Sequence, residues 1–301
     1  FDEPERIMEL RTLEYFLMVA REENITHAAE MLHMTQPTLS RAMMQLETEI
    51  GKPLFHRGKR KITLTDEGML LRRRAEDILS LVSKTESELR KDEHELVGEL
   101  TIGCAECQAS HLFLPRVIET FSRIHTRVTY DLHTGNADLI KERIEAGLID
   151  IGIVLEPVDL EKYDYVRLPY HERMGIIISK AHPLSQKNSI TAKDLLEIPL
   201  GSVRRNLLKN ELASWFKDDY EKLHIIETHD MISNTIPLCA QGICAAISIE
   251  GAFYGHSDEK VVFIPFEPVL SNGTVLVWRK NRMQSSLVKE FIQHVYHTLN
   301  E

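Results

Sequence analysis

Short apolar strands alternate with helical segments from Gly98 to the end of the chain, and this alternation limits the fold more than any other feature. The strand patterns lie at 100–103, 128–132, 150–155, 174–179, 224–228, 243–249, 261–265 and 274–278. The helical patterns lie at 108–124, 137–146, 192–197, 206–219, 231–241 and 284–299. Such alternation is typical of α/β units with mostly parallel strands. Because the segment runs to about 200 residues, we expect two small α/β lobes rather than one large sheet.

The chain before the first strand is helical. We expect three short helices in a domain at 8–65, where Thr26 caps the second helix and Thr35 caps the third. The third helix has Pro37 in its first turn, where a missing N–H group costs nothing, and it stops at Gly51. The domain is therefore predicted to be all-α apart from a small wing that follows it. Residues 1–7 precede a methionine and are left out of the fold prediction.

The wing is the basic part of this domain. Pro53–Thr65 has the pattern of two short strands that turn at Gly58-Lys59. The segment 52–61 has no acidic residue and five basic ones, namely Lys52, Arg57, Lys59, Arg60 and Lys61. A hairpin with this charge can hold DNA phosphates and would give a salt-dependent affinity.

The third helix, Gln36–Glu49, has one apolar and one polar face. At about 100° per residue, four apolar residues fall within about 60° of one another, and they are Leu39, Met43, Leu46 and Ile50. The opposite face and its shoulders carry Pro37, Thr38, Ser40, Arg41, Met44, Gln45 and Thr48. A small polar face with one arginine suits the major groove of DNA, where Arg and Gln bond base edges. The alternative is a solvated helix beside a basic hairpin.

One long helix without proline is predicted over 66–93. Residues at alternating spacings of four and three mark one side of it: Leu71, Ala75, Ile78, Val82, Thr85 and Leu89. A narrow seam of this kind is typical of a coiled coil, so we expect the helix to dimerise through Leu71, Ala75, Ile78, Val82 and Leu89. The alternative is a long helix packed on its own domain.

Two cysteines follow the first strand, in the segment Cys104-Ala105-Glu106-Cys107. Redox motifs of the thioredoxin kind occupy such a strand-to-helix position, and a thiol at a helix N-terminus can have a lowered pKa. The segment is therefore a candidate redox site, a metal site, or a turn that contains two cysteines. Cys239 and Cys244 lie in apolar surroundings that favour a place in the core.

Four strand-to-helix turns, at 104–110, 135–138, 201–205 and 228–231, are candidates for a ligand site, because ligands of α/β domains bind beyond the carboxyl ends of strands. The residues predicted to bind an effector there are Cys104, Glu106, Cys107, Gln108, Ser110, Asn136, Val203, Arg204, Asp230 and Met231. Helix starts and the Arg204-Arg205 pair favour an anionic ligand, whereas Glu106 and Asp230 oppose one. The alternative is that Asn136, Asp138 and Asp230 only cap helices.

Composition excludes several classes of protein. The net charge of −10 argues against a general nucleic-acid binder, although not against a basic patch on one domain. The longest apolar runs are too short to span a membrane, and four cysteines do not make a disulfide framework. With no secretory signal either, we expect a cytoplasmic protein. No catalytic motif or metal-ligand spacing is found, so we expect no enzyme activity, no cofactor and no metal.

The segment NITHAAEMLHMTQPTLSRAMMQLETEIGKPLFHRGKRKITLTDEG resembles the N-terminal signature of LysR-type transcriptional regulators. The resemblance extends from about Met8 to Glu301. It implies a winged helix-turn-helix at 8–65, a linker and dimerisation helix at 66–93, and an α/β effector domain at 98–301. That domain would have two lobes like the type II periplasmic binding proteins, one formed by 98–168 and 271–301 and the other by 169–270. The four turns would then surround the effector cleft.

The resemblance also implies roles for individual residues. Those at the DNA would be Thr26, Thr35, Gln36, Pro37, Thr38, Ser40, Arg41, Arg57, Lys59 and Arg60. The implied partners are promoter or operator DNA, a small-molecule effector, one or three further copies of the chain, and RNA polymerase. Many members carry basic residues where this chain has Met44 and Gln45, so its base preference and phosphate contacts can differ. The rival hypotheses are a thiol-based redox sensor or redox protein using Cys104 and Cys107, and a solute-binding protein.

Overall fold

The computed structural model describes residues 8–58, 61–89, 96–254, 259–281 and 284–300 of the chain. For residue 57 and for residues 87–89 the description covers the backbone and not the side chain. The chain divides into two compact units, Phe1–Arg90 and Lys91–Glu301. The helical pattern and the strand–helix pattern of the sequence therefore belong to different units, called here the N-terminal unit and the C-terminal unit.

The N-terminal unit is a helix-turn-helix with a wing, as the sequence predicts. Its elements are α1 (Leu10–Glu22), α2 (Ile25–Met31), α3 (Gln36–Ile50), β1 (Phe55–Arg57), β2 (Ile62–Leu64) and α4 (Asp66–Leu89). The two wing strands pair antiparallel, with Phe55 opposite Leu64. Gly51 ends α3 with a φ of 73°, in the left-handed region that glycine adopts without strain.

Helix α2 is capped by Asn24, and the expectation that Thr26 caps it was wrong. Asn24 Oδ1 accepts hydrogen bonds from the backbone N–H groups of Thr26, at 2.9 Å, and His27, at 3.2 Å. Thr26 is already the second residue of the helix. Because an asparagine one residue before the helix reaches the free N–H groups of the first turn, the threonine side chain is left exposed.

Helix α4 packs on its own unit through its first turns. Ala75 is fully buried in the same core as Phe16, Leu39 and Phe55, and Leu71 packs at the edge of that core. The rings of Phe16 and Phe55 lie 5.3 Å apart, so the core joins α1 to the wing as well. The start of the predicted dimerisation seam is therefore occupied by contacts within the chain.

The C-terminal unit has nine strands, six helices and several shorter turns in its described part. The strands are β3 (Gly98–Cys104), β4 (Val128–Thr134), β5 (Ile151–Leu155), β6 (Tyr163–Ser179), β7 (Leu200–Val203), β8 (Ile225–His229), β9 (Ala245–Ile249), β10 (Val261–Pro265) and β11 (Ser271–Arg279). The helices are α5 (Leu114–Ile124), α6 (Ala137–Ala146), α7 (Asn206–Phe216), α8 (Ile236–Ala240), α9 (Glu250–Phe253) and α10 (Ser286–Asn300). A π turn at Ala109–Phe113 runs into α5, and 3-10 turns lie at Pro183–Gln186, Ala192–Leu195, Lys217–Lys222 and Ile232–Asn234.

The sheet of this unit is mixed rather than mostly parallel. Its strands run in the order β4-β3-β5-β11-β6-β9-β7-β8, with β10 also paired to β6. The pairs β3–β4, β3–β5, β7–β8 and β7–β9 are parallel. The pairs that β6 and β11 make with each other and with β5, β9 and β10 are antiparallel. The α/β prediction is confirmed, whereas the parallel expectation fails where the central strands join the two halves.

We call the half with β3, β4, β5 and α6 the first lobe and the half with β7, β8, β9 and α7 the second lobe. Strand β6 belongs to both, because its start pairs with β11 and its end with β9 and β10. The pairing of β6 with β11 shifts register between Gly273 and Thr274. The predicted lobe boundaries, at 168/169 and 270/271, lie close to this shift. The sequence predicts only 174–179 of β6, since Pro169 interrupts 163–173 and polar residues fill the end of that segment.

Each lobe has its own apolar core. In the first lobe, Phe121 of α5 and Phe291 of α10 meet edge to face, with ring centres 5.1 Å apart. In the second lobe, Trp215 of α7 stacks on Phe266 with ring centres 4.3 Å apart, and both pack near Phe216. The two cores hold the strand ends of the two lobes at fixed positions around the groove between them.

The side chain of Thr65 gives a test of how α4 is joined to the wing. Its hydroxyl donates to the carbonyl of Pro53, at 2.8 Å, and accepts from the N–H of Gly68, at 3.0 Å. Thr65→Val keeps the shape but leaves both groups unpaired, so it should lower the free energy of local unfolding by about 1–2 kcal/mol. The measurement is hydrogen–deuterium exchange of the α4 amides. Thr63→Val is the matched control, because Thr63 is exposed; equal exchange in both variants would contradict this account.

Candidate functional site

Helix α3 presents a polar face on the N-terminal unit. Leu39, Met43 and Leu46 are fully buried, so the predicted inner face is confirmed. The exposed residues of the helix are Gln36, Pro37, Thr38, Arg41, Met44, Gln45, Thr48 and Glu49, while Ser40 is half-buried. The helix therefore offers one cation and several short polar side chains to whatever approaches this face.

The polar groups of this face are not equally available. Arg41 makes no hydrogen bond or ion pair with any residue that the structure describes. Gln45 Nε2 donates to Glu49 at 2.8 Å, and the hydroxyls of Thr35 and Thr38 lie 2.8 Å apart. Thr35 precedes the helix without capping it through its side chain. Arg41 is thus the cation of α3 that can bind a base or a phosphate without giving up a partner.

The wing is held against α3 by an acidic side chain. Glu47 Oε1 accepts from the N–H groups of Leu54, at 2.8 Å, and Phe55, at 3.2 Å. Lys61 pairs with Glu23 at 2.6 Å, which removes part of the predicted positive patch. The side chain of Arg57 and the whole of Lys59 and Arg60 lie outside the described residues. The wing's position is therefore explained, while its predicted phosphate contacts stay predictions.

The seam of α4 divides into an inner and an outer part. Leu71 and Ala75 pack in the core of the unit, whereas Ile78 is 38% exposed. Leu81, which the spacing does not select, is also 38% exposed, and Val82 is half-buried. Leu89 lies where side chains are not described. The open part of the predicted seam therefore starts near Ile78, although Met69 and Leu70, outside the seam, are also exposed on α4.

A cleft that is partly open to solvent lies between the two lobes of the C-terminal unit. Polar and charged lining residues are Glu106, Asn136, Arg204, Arg205, His229, Asp230, Ser248 and Asn272. Apolar lining residues include Leu155, Met174, Val203, Leu208, Met231, Ile232 and Ile249. A wall that mixes apolar residues with a few polar and charged ones is typical of a small-molecule site. Of the ten predicted effector residues, Glu106, Asn136, Val203, Arg204, Asp230 and Met231 lie in this wall.

Both arginines of the cleft already face carboxylates. Arg204 Nη1 lies 3.1 Å from Asp230 Oδ2, and this pair is exposed. Arg205 Nε lies 3.3 Å from Asp138 Oδ2, and the side chain of Arg205 is only 8% exposed. Asp138 belongs to α6 of the first lobe and Arg205 precedes α7 of the second, so this ion pair crosses the cleft.

Glu106 makes a second contact across the cleft. Its carboxylate accepts from the hydroxyl of Ser233 at 2.9 Å and from the N–H of Ile232 at 3.4 Å. Asn136 is a helix cap, since its Oδ1 accepts from the N–H groups of Asp138 and Leu139. The capping alternative is thus correct for Asn136, whereas Asp138 and Asp230 pair with arginines.

His229, at the end of β8, is a wall residue that the sequence did not single out. Its Nδ1 lies 3.0 Å from Glu227 Oε2 and its Nε2 lies 3.2 Å from the carbonyl oxygen of Ile247. One ring nitrogen of His229 thus faces a carboxylate and the other a carbonyl oxygen, so neither is free for a ligand.

Four predicted effector residues lie outside this cleft. Cys104 and Ser110 line a second, more open cavity in the first lobe, beside α5. Cys107 is fully buried, with its Sγ 3.5 Å from Ser110 Oγ. The backbone N–H of Gln108 donates to Glu172. The turn after β3 therefore meets the cleft through Ala105 and Glu106, and its two thiols point elsewhere.

Burial raises the pKa of both thiols, which is opposite to the expectation for a reactive cysteine. The pKa of Cys104 is raised to about 12 and that of Cys107 to about 11, in each case chiefly by desolvation. Cys239 and Cys244 are buried in the core of the second lobe, as the sequence predicts. No group of three or more His, Cys, Asp or Glu residues placed to hold a metal occurs in the described part of the chain. Among the described helices, none has the length and apolar character needed to cross a membrane.

Asn272 and Met174 of the cleft wall were also not predicted from the sequence. Asn272 lies near the start of β11 and is 4% exposed; Met174 lies in β6. In the sequence, Asn272 is only a polar residue beside an apolar strand pattern. Its side chain binds Glu211 of α7, about 60 residues earlier in the chain. Its role is set by the folding of distant segments and not by a local pattern.

The two units match two family descriptions. Residues 10–69 match "Bacterial regulatory helix-turn-helix protein, lysR family", and residues 93–300 match "LysR substrate binding domain". The chain is 31% identical over 296 residues to the Hca operon transcriptional activator HcaR of Escherichia coli (strain K12), and the match covers 97% of this chain and 98% of that protein. It is 27% identical to the uncharacterized HTH-type transcriptional regulator YvbU of Bacillus subtilis (strain 168), covering 95% and 97%.

Solved structures of similar fold cover nearly the whole chain. Full-length CbnR complexed with its target DNA has a TM-score of 0.71 at 22% identity, over 97% of this chain and 100% of that one. A single-residue variant of full-length OxyR from Pseudomonas aeruginosa has a TM-score of 0.56 at 21% identity, over 97% and 99%. At these identities the likeness is one of fold.

The raised thiol pKa values give a test of the cysteine segment. Near neutral pH, Cys104 and Cys107 should be almost entirely protonated, so iodoacetamide should alkylate them at least about a hundredfold more slowly than an unperturbed cysteine. The rate should rise about tenfold per pH unit and level off only above pH 11, whereas that of an unperturbed cysteine levels off near pH 9. The measurement is mass spectrometry of the 98–121 region in the folded chain, with the denatured chain as control. Equal rates in the two states would contradict the burial account.

Proposed function

Because the chain belongs to the LysR-type transcriptional regulators, we propose that α3 reads an operator and that the interlobe cleft binds a small anionic effector. The chain is a DNA-binding transcriptional regulator with an effector-binding domain. The proposal assigns residues and ligand chemistry to those two activities. It extends to a homodimer or homotetramer formed through the exposed part of α4, near Ile78, and to contact with RNA polymerase at the promoter.

Arg41 is the residue proposed to contribute most to operator recognition. It is exposed, it lacks a partner among the described residues, and it lies on the outer face of α3. A guanidinium in the major groove bonds guanine O6 and N7 in a bidentate manner. Three polar residues on or beside the same face would contact bases or phosphates, namely Gln36, Thr38 and Ser40. Thr26 and Thr35 would contact the DNA backbone. Arg57, Lys59 and Arg60 are proposed for phosphates or the minor groove.

The effector proposal rests on the buried guanidinium of Arg205. A charged side chain that is only 8% exposed needs a counter-charge, and here a single exposed carboxylate, Asp138, supplies it. Asp138 is 60% exposed, so it can turn into solvent when a ligand carboxylate or phosphate takes its place. Arg204 adds positive charge at the rim, whereas Asp230 and Glu106 limit the total negative charge that the cleft accepts. A small anion with one charge fits this balance.

Replacement of Asp138 by a ligand at Arg205 is also the proposed switch. Arg205–Asp138 and Glu106–Ser233 both join the first lobe to the second. A ligand that replaces Asp138 at Arg205 changes the contacts between the lobes and so shifts the equilibrium between their arrangements. In an oligomer this shift would alter the spacing of the DNA-binding units and hence operator affinity.

Arg41→Ala should weaken binding to duplexes that the unaltered chain selects from a random-sequence DNA pool. Loss of a bidentate base contact costs about 1–3 kcal/mol, so the affinity should fall about 5- to 150-fold, with relaxed preference at one base pair. The control is Arg72→Ala, since Arg72 is also exposed but pairs with Glu76 on α4. Binding is measured by fluorescence anisotropy at fixed salt. A loss no larger than that of Arg72→Ala would remove Arg41 from the recognition surface.

Thermal shift of the full chain with a library of carboxylates, phosphates, amines and neutral metabolites tests the effector proposal. Carboxylates or phosphates should raise the melting temperature, and Arg205→Met should abolish the effect. Asp138→Asn should instead tighten the binding of the same anions, because it removes the competing carboxylate. Asp164→Asn, an exposed change on β6, is the control. If only amines or neutral compounds raise the melting temperature, the anionic proposal is wrong.

A further inference from the structure

Two polar atoms in the wall of the interlobe cleft are buried and have no hydrogen-bond partner among the described residues. They are Arg205 Nη2 and Asn272 Oδ1. The other ionisable side chains of the wall have partners among the described residues: Arg204 pairs with Asp230, Glu106 binds Ser233, and both ring nitrogens of His229 lie within hydrogen-bond distance of Glu227 and Ile247. Since an unpaired buried polar group is costly, these two atoms mark the places where a ligand gains most by binding.

The two atoms require opposite chemistry. A guanidinium nitrogen only donates, so Arg205 Nη2 requires an acceptor, and its charge favours a carboxylate or phosphate oxygen. An amide oxygen only accepts, so Asn272 Oδ1 requires an O–H or N–H group. The orientation of the Asn272 amide follows from its hydrogen bonds, because Nδ2 donates to Glu211 Oε2 at 2.7 Å. The oxygen is therefore the atom left for a ligand.

Helix α7 carries the anchor points of the two positions. Arg205 immediately precedes the helix, and Asn272 is tied to Glu211, six residues further along it. At 1.5 Å per residue the two anchor points are about 9 Å apart along the axis. Leu208 lies between them on α7 and lines the cleft, together with Met174 and Ile249. The wall between the two polar positions is therefore apolar.

We propose that the cleft selects a molecule with an apolar body, an anionic acceptor group at the Arg205 end and a hydroxyl or amino donor at the Asn272 end. The inference rests on the proposed effector site and adds the donor and the elongated shape to it. Arg205 then determines the charge of the ligand, and Asn272 distinguishes ω-hydroxy or ω-amino acids from plain carboxylic acids of the same length.

The test compares three matched probes on the full chain by isothermal titration calorimetry: 6-hydroxyhexanoate, hexanoate and 1,6-hexanediol. 6-Hydroxyhexanoate should bind at least about tenfold more tightly than hexanoate, because hexanoate has no donor for Asn272. It should also bind more tightly than 1,6-hexanediol, because the diol has no anionic group for Arg205. Asn272→Leu should reduce the preference over hexanoate to about one. The exposed Asn210→Leu on α7 is the matched control and should keep the preference.

The outcomes separate this inference from the effector proposal. Equal affinities of the two acids for the unaltered chain overturn the inference, and so does a preference that Asn272→Leu leaves intact. If hexanoate then binds the unaltered chain but not Arg205→Met, the anionic effector proposal is supported without the donor group. If none of the probes binds while another carboxylate raises the melting temperature, the elongated donor–acceptor shape is wrong. The comparison on the unaltered chain needs no variant, so misfolding of Asn272→Leu does not affect it.

Discussion

One buried carboxylate, that of Glu172, connects the two lobes of the C-terminal unit. It is fully buried in β6 and accepts hydrogen bonds from the backbone N–H of Gln108 in the first lobe and of Gly251, at 2.8 Å, in the second. Burial raises its pKa, while these two N–H groups act in the opposite direction by stabilising the charged form. A Cβ at Gly251 would lie 2.3 Å from the nitrogen of Gln108, so only glycine permits this approach. The starts of two helices therefore meet on one side chain.

The contacts across the cleft are of a different kind. Glu172 is shielded from water, whereas Asp138 and Ser233, which contact Arg205 and Glu106 across the cleft, are exposed. Because Asp138 and Ser233 are exposed, each can exchange its contact across the cleft for contacts with water. A ligand can thus replace the cleft contacts without disturbing the carboxylate that joins the lobes. Because Glu172 keeps the lobes joined while the cleft contacts can be exchanged, a small molecule can change the arrangement of the two rigid lobes.

The parts of this structure that the sequence predicts are those with a local cause. The inner face of α3 follows from helical periodicity, and β10 and α6 follow from short patterns with clear ends. The first part of β6 does not, because its partner β11 lies far away in the chain and its polar residues obscure the strand pattern. Asn272 is similar: its place in the cleft depends on Glu211. Cys104-Ala105-Glu106-Cys107 was ambiguous for the same reason, since only tertiary packing shows that Glu106 faces the cleft and that Cys107 does not.

In both proposed sites, positive and negative side chains nearly balance. The positions of individual charges therefore matter more than net electrostatic attraction. Residues 8–65 hold eight Lys and Arg against seven Asp and Glu, a net charge of +1, so this domain is close to neutral and the rest of the chain carries −11, which gives the total of −10. Long-range attraction to DNA is therefore weak, and affinity must come from where the cations stand. In the cleft, likewise, Asp230 and Asp138 already offset Arg204 and Arg205. An anion there competes with Asp138 for Arg205 and gains most at the unpaired Nη2 atom, so binding requires a close fit and favours one ligand over anions in general.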